Sequence, residues 1–259
     1  MPSKVYFTRN ITSENVLKLY EACGLELSGN VAVKLHSGEK GNQNFLSPEF
    51  WRPMIEHVHG TVVECNTAYP GSRNTTAAHW QTMRDHGWSD AFTVDIMDEE
   101  GPDLQLLIPN GKVIQKNYVG KHLTRYDSLL VLSHFKGHPM GGFGADHDSF
   151  LASMADAASS VAKRFAGKAV YINVMKNLSV DCDCCAVAEN PCMADIGIMA
   201  SLDPIAIDQA CVDMVYAATD DPGQQHMLER IESRHGIYTI ECAAELGFGS
   251  REYERVDLD

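Results

Sequence analysis

The sequence predicts an α/β fold: a mainly parallel sheet flanked by helices, forming a single domain over 1–259, with a small irregular or antiparallel annex around 90–127. Three observations predict it. Short β-rich runs alternate with helical patterns of about 10–15 residues. One run, "DSLLVLSH", is apolar enough for a strand buried on both faces, as in a parallel sheet. Each apolar run is followed by a segment rich in Gly, Asn, Ser, His, Lys or Cys, the pattern of loops gathered at the carboxyl edge of such a sheet.

The elements follow in order. "KVYFT" reads as a first strand. "SENVLKLYEACG" reads as a helix capped by Ser13, with Val16, Leu17, Tyr20 and Cys23 at helical spacing and Gly24 as its stop. "NVAVKLH" is a strand. "SPEFWRPMIEHVHG" is a helix with Ser47 as cap, Pro48 in its first position and Pro53 as a source of kinking. "GTVVECN" is a strand, and "NTTAAHWQTMRDHG" a helix capped at Asn74. "AFTVDIM", "LQLLIP" and "KVIQKNYVG" are the short strands of the annex. After the buried run come the amphipathic helix "DHDSFLASMADAASSVAKRFAG", the strands "KAVYINVM" and "IGIMAS", and a helix from "DPIAIDQACVDMVYAA" with Asp203 as cap and Pro204 first. "DPGQQHMLERIESRHG" is a further helix.

Composition narrows the class. The 259 residues are 44% hydrophobic and 22% charged, ordinary for a globular protein. The net charge of −14 repels nucleic acid and anionic membranes, and no basic stripe offsets it. No apolar run approaches the roughly 20 residues of a membrane helix. "MPSKVYFTRN" lacks the apolar core of a signal peptide, so a cytoplasmic location is the expectation. Eight cysteines without an export signal argue against a disulfide framework. Cys23, Cys211 and Cys242 read as small buried hydrophobes in helices, and Cys65 as a buried residue closing a strand.

The polar strand-end segments should converge on one cleft, including "SLDP" after "IGIMA". "KLHSGEKGNQN" supplies Lys34, His36, Glu39, Lys40 and Asn42 around two glycines, able to cradle an anion but without the order of a Walker loop. "CNTAYPGSRN" adds Asn66, Thr67 and Arg73. "SHFKGHPMGGFG" adds His134, Lys136 and His138. Its glycines and proline oppose a helix and suit a loop that approaches a ligand closely. An imidazole there could exchange protons near neutral pH.

The run "NLSVDCDCCAVAENPC" is the strongest chemical signal. It packs Cys182, Cys184, Cys185 and Cys192, four of the eight cysteines, into a polar, turn-rich stretch. The spacing matches neither ferredoxin pattern and lacks the paired C-x-x-C of a zinc ribbon. Adjacent thiols fit a polynuclear iron–sulfur cluster more easily than one tetrahedral ion. Asp181 and Asp183 suit a cation and disfavour a free reactive thiolate. Asp208, one turn inside its helix, could face cleft or solvent.

Taken together, "VAVKLHSGEKGN", "ECNTAYPGSRN", "VLSHFKGHPMGGFG", "VYINVMKN", "CDCC" and "DIGIMASLDPIAIDQACVD" resemble the domain of unknown function 362 family. The resemblance implies an iron–sulfur or ferredoxin-associated protein. It departs in two places: the ferredoxin-type cysteine insert of many relatives is absent, and Gly144 runs directly into "ADHDSF" where relatives continue for a few dozen residues.

The leading expectation is an iron–sulfur or other metal-binding protein, redox-linked, with Cys182, Cys184, Cys185 and Cys192 as thiolate ligands to an iron–sulfur cluster (4Fe–4S among the candidates) or zinc. Lys34, His36, His134, Lys136 and His138 would bind or protonate a small anionic molecule, with Glu39, Lys40, Asn42, Asn66 and Thr67 lining the same cleft. Two alternatives stay open. One is a metal-independent enzyme or binder of a phosphate or carboxylate, with structural cysteines. The other is a non-catalytic accessory that docks to a redox partner protein through its acidic surface.

Overall fold

The computed structural model describes residues 2–139 and 147–259. The chain runs β1 (Ser3–Thr8), α1 (Ser13–Ala22), β2 (Val31–Lys34), α2 (Pro48–His57), β3 (Thr61–Glu64), α3 (Thr76–Asp85), α4 (Trp88–Ala91) and β4 (Val94–Ile96). It continues through β5 (Leu104–Leu107), β6 (Lys116–Val119), a 3-10 turn (Lys121–Arg125), β7 (Ser128–His134), α5 (His147–Arg164), β8 (Ala169–Met175) and β9 (Gly197–Ser201). It ends with α6 (Pro204–Ala217), α7 (Gln224–Ser233), α8 (Ile237–Glu245) and β10 (Tyr253–Asp257).

Eight strands form one sheet in the order β10-β1-β9-β8-β7-β2-β3-β4, and β5 and β6 pair antiparallel beside it. Every neighbour in the large sheet is parallel except β9, which runs against both β8 and β1. The annex is therefore smaller than expected, because "AFTVDIM" supplies β4 at the edge of the main sheet. The reversal of β9 also corrects the expectation for "SLDP". That segment leaves from the opposite edge, where Asp203 caps α6 by accepting from the N–H groups of Ile205 and Ala206.

Two caps sit one residue from their expected places. Thr12 and Thr75, rather than Ser13 and Asn74, accept the first-turn N–H groups of α1 and α3. α2 continues through Pro53. Cys211 and Cys242 are buried as expected, whereas Cys65 is exposed. The stretch around Gly144 falls at 140–146, outside the described residues.

Alternation along the strands builds the two faces. Val33, Leu130, Leu132, Ile172 and Val174 point to one side, under Leu19 of α1 and Trp51, Met54 and Ile55 of α2. Val63, Leu129 and Ala169 point to the other, with Phe165, just past the end of α5, and the annex residues Leu104 and Val119. Burying each large side chain contributes roughly 1.5–3 kcal/mol. Truncating fully buried Leu130 to alanine would cost about 2–5 kcal/mol.

The strand order places the cleft. From β2 the chain crosses to β3 on one side, and from β7 it crosses to β8 on the other, while β2 and β7 are neighbours. That junction is a topological switch point, where the loops leaving adjacent strands part and open a crevice. Lys34 ends β2 and His134 ends β7. Among the described residues no helix is long and apolar enough to cross a membrane.

Candidate metal centre

The cysteine loop has no regular structure, so its backbone groups need partners from elsewhere. The 37–45 loop supplies them. The Glu39 N–H donates to the Asp183 carbonyl at 2.8 Å. Asn42 Nδ2 donates to the Cys185 carbonyl at 2.8 Å and reaches that of Cys182 at 3.4 Å. Gln43 Nε2 donates to Ala188 O at 2.7 Å, and Asn44 Nδ2 to Glu189 O at 2.8 Å. The amide-rich "GNQN" thus clamps the thiol-bearing loop against the end of β2.

Within that clamp, the Cys185 N–H bonds back to the Cys182 carbonyl at 2.9 Å, and the Cys184 N–H points at Cys182 Sγ at 3.3 Å. The loop after β7 approaches from the other side. Gly137 donates its N–H to Ser179 O at 2.8 Å, and any Cβ at Gly137 would stand 2.3 Å from the Val180 carbonyl, so only glycine permits the approach. This brings His138 Nε2 to 3.6 Å from Cys184 Sγ. Donor atoms of His138, Cys182 and Cys184 all lie within 4.8 Å of one another.

The electrostatics suit a cation. Cys184's hydrogen bond pulls the Cys182 thiol well below its ordinary range; burial opposes this, and His138 and the Lys136 ammonium assist. Cys184 moves the opposite way, raised by the same hydrogen bond and by burial. A metal ion bound at the pair would displace thiol protons, since thiolates, not thiols, are the ligands. Cys185 and Cys192 are both pushed up by burial.

Two polar assemblies support the rim. In the first, His134 Nδ1 meets the Asp183 carboxylate at 2.9 Å and its Nε2 meets the Lys176 carbonyl at 2.5 Å, so both ring nitrogens face acceptors. Lys136 Nζ donates to His134 O at 2.9 Å and lies 3.3 Å from Asp183. Burial pushes the Asp183 carboxyl up, but the His134 hydrogen bond and these charges outweigh it and hold the group at about 2. The second centres on buried Arg73, which lies 3.4 Å from Glu39 and 3.5 Å from Glu64, and donates to the Tyr69 hydroxyl at 3.1 Å. Glu64 also takes Ser37 Oγ at 2.6 Å and His79 Nε2 at 2.9 Å. Burial raises Glu64, but these partners hold it well below the usual carboxylate range. Arg73 Nη2 also lies 3.1 Å from His36 Nε2, and burial pushes the His36 imidazole down to about 4.

The expected site residues therefore divide. His138, Cys182 and Cys184 share one point, with Lys136 beside them. Cys185 is next to Cys184 in the chain but lies outside that compact group; its own N–H donates to the Cys182 carbonyl. His36 and Glu39 belong to the Arg73 assembly, and Asn42 to the clamp. Lys34 is exposed and lines an apolar cavity. Lys40 is exposed and lies 3.8 Å from Asp85. Asn66 engages Thr76, His79 and Asp98, and Thr67 donates to Tyr69 O. Cys192 is turned away: its Sγ meets Leu178 O at 3.4 Å and packs against a separate apolar cluster. Asp208 faces the sheet and accepts from Asn173 at 2.8 Å.

Sequence reasoning missed Glu64 and Tyr69. Glu64 had a signal, an acidic residue ending the apolar run "TVVE" where the strand is buried. Tyr69 had none, since a tyrosine before Pro-Gly reads as an ordinary turn.

A family model described as "Domain of unknown function (DUF362)" matches residues 31–146 and 145–213. A search of curated proteins and a search of solved structures each returned no match. The matched stretches contain β2, β3, β7 and β8 and all three residues of the compact donor group.

Proposed function

This chain belongs to the family described as Domain of unknown function (DUF362), and on that footing we propose that it is a metal-binding protein whose centre is held by Cys182, Cys184 and His138. The observation that carries the reading is the convergence of two thiol sulfurs and an imidazole nitrogen within 4.8 Å from stretches 44 or more positions apart. Ligand bonds of about 2.3 Å for sulfur and 2.0–2.1 Å for nitrogen fit such a separation around one ion. Two sulfurs and one nitrogen form the open type of set, leaving room for an exogenous ligand.

A bound ion of the zinc class would supply Lewis acidity and a stabilised anionic ligand at this rim. The chain's own residues do the rest. Lys136 places an ammonium beside the thiols, although it also pairs with Asp183, and it is the cation that would meet an anionic ligand at this rim. Asp183 holds His134 and Lys136 in place, and the "GNQN" amides keep the thiols presented.

A redox-linked iron–sulfur centre is the second reading, favoured by a third free thiol, Cys185, adjacent to Cys184 in the same clamped loop. Anaerobic purification followed by metal and acid-labile sulfide analysis separates the two. Roughly one metal per chain without sulfide, and a sulfur-to-metal charge-transfer band on cobalt substitution, are expected of the first. Several irons with matching sulfide would establish the second. A chain that takes up no metal on reconstitution would end both.

A further inference from the structure

The sheet face under α5 carries a feature that the metal centre does not use. Val63, Lys34, Val131 and Tyr171 form one row across β3, β2, β7 and β8, since Lys34 registers with Val63 and Val131, and Val131 with Tyr171. All four line a cavity of about 320 Å³. Leu129 and the α5 residues Val161 and Ala162 continue its apolar wall. Ala162 offers only a methyl group where a larger side chain would fill the space.

Lys34 is exposed, so its ammonium stands at the rim of an otherwise apolar wall, stem on the wall and charge toward water. Among the described residues no hydrogen bond or ion pair engages the Lys34 ammonium, and protein crowding pushes its pKa down. Its nearest charged and titratable neighbours are Glu64, Lys136, Cys182 and Cys65. Lys34 ends its strand, so it stands at the cleft edge of the cavity, while Ala32 and Leu129 lie deeper beneath α5.

We propose that this cavity binds an apolar-tailed carboxylate, its tail beneath α5 and its carboxylate on Lys34. A volume near the lower end of small-molecule pockets, roughly 300 Å³, suits a medium-length aliphatic or compact aromatic tail. A single point charge, without an arginine fork, suits a monoanion better than a phosphate dianion. The proposal deepens the reading of the strand-end cleft as the ligand site and rests on it, but not on the metal.

Calorimetric titration of the full chain with decanoate, decanol and acetate tests it. Decanoate should bind saturably, and decanol and acetate at least tenfold more weakly. Lys34→Met should erase the preference for decanoate over decanol. Ala162→Phe, with its fold verified by circular dichroism, should lose both ligands. The double variant Cys182→Ser/Cys184→Ser should lose metal and keep decanoate, which separates this proposal from the metal reading. Absence of saturable decanoate binding to the native chain would overturn it. So would a tenfold preference surviving in Lys34→Met, or loss of decanoate from the folded double-cysteine variant.

Discussion

Asn42 Nδ2 donates to the carbonyl of Cys185 at 2.8 Å across 143 positions of chain. Its Oδ1 meanwhile accepts from the N–H groups of Asn44 and Phe45 at 2.9 and 3.1 Å. One amide thus fixes both the shape of its own loop and the position of the thiols. Asn42→Ala would leave the carbonyls of Cys182 and Cys185 without this donor, costing about 1–3 kcal/mol. Metal affinity should fall by about 10–100-fold, as for loss of other groups that orient ligands. Asn42→Asp keeps the accepting oxygen but turns a negative one toward two carbonyls, and should be worse. Competition with a chromophoric chelator measures the affinity. An Asn42→Asp protein that binds metal like the native chain would refute the clamp.

Buried Arg73 compensates two buried carboxylates, Glu39 and Glu64, and all three are at most 5% exposed. Arg73→Met takes the guanidinium from both buried acids, leaving them only neutral or weakly charged hydrogen-bond partners, and should destabilise the fold by about 3–5 kcal/mol. Arg73→Lys keeps the charge but cannot span Glu39, Glu64 and Tyr69 with one planar fork, so it should fall between. Urea unfolding gives the ranking. A loss below about 1 kcal/mol for Arg73→Met would show the network to be as weak as a surface pair.

His36 gives the fold a specific acid sensitivity. Its folded value of about 4 lies below the ordinary imidazole value of 6.5, because burial disfavours the imidazolium. Above pH 6.5 the ring is neutral in both states and contributes no pH dependence. As pH falls from 6.5 toward 4 the unfolded chain takes up a proton that the folded chain refuses, so stability drops across that window. The loss should reach about 2–3 kcal/mol. His36→Gln should remove it while every other titration continues, so the difference between the two urea-midpoint curves isolates the group. Parallel curves from pH 7 to 4 would mean that His36 protonates freely in the folded state.

Much of the sheet was legible because its signals are local. The apolar run at 128–134 became a strand buried on nearly every residue, and Asp203-Pro204 began a helix as cap and first position. The direction of β9 was not legible, because "IGIMA" pairs equally well either way and its partners, β1 and β8, are set by tertiary packing. β10 was missed because "YERVD" lies at the exposed edge and carries little apolar periodicity. At the site, residue type identified the thiols but not their grouping. Asn42 and Glu39 read as ligand groups, since an amide or carboxylate in a glycine-rich loop has the same appearance whether it meets a ligand or a distant backbone. The convergence of His138 with Cys182 depends on the Gly137–Val180 approach, which no sequence pattern announces.

The division among the thiols makes the sharpest test. Cys182 and Cys184 share the donor group with His138, whereas the Cys192 N–H is held by Leu178 O at 2.8 Å. For Cys192 to reach that group, the Gln43 and Asn44 clamps on Ala188 and Glu189 would have to break. Cys182→Ser and Cys184→Ser should therefore each abolish stoichiometric metal. His138→Ala should weaken affinity by more than the roughly 10–100-fold of an outer partner. Cys192→Ser should leave metal content unchanged, because a sulfur packed among apolar neighbours contributes no bond to the ion. A four-thiolate cluster demands the reverse for Cys192, since each ligand holds one corner. Loss of metal from Cys192→Ser as complete as from Cys182→Ser would sink the single-ion geometry and require the loop to rearrange around a cluster.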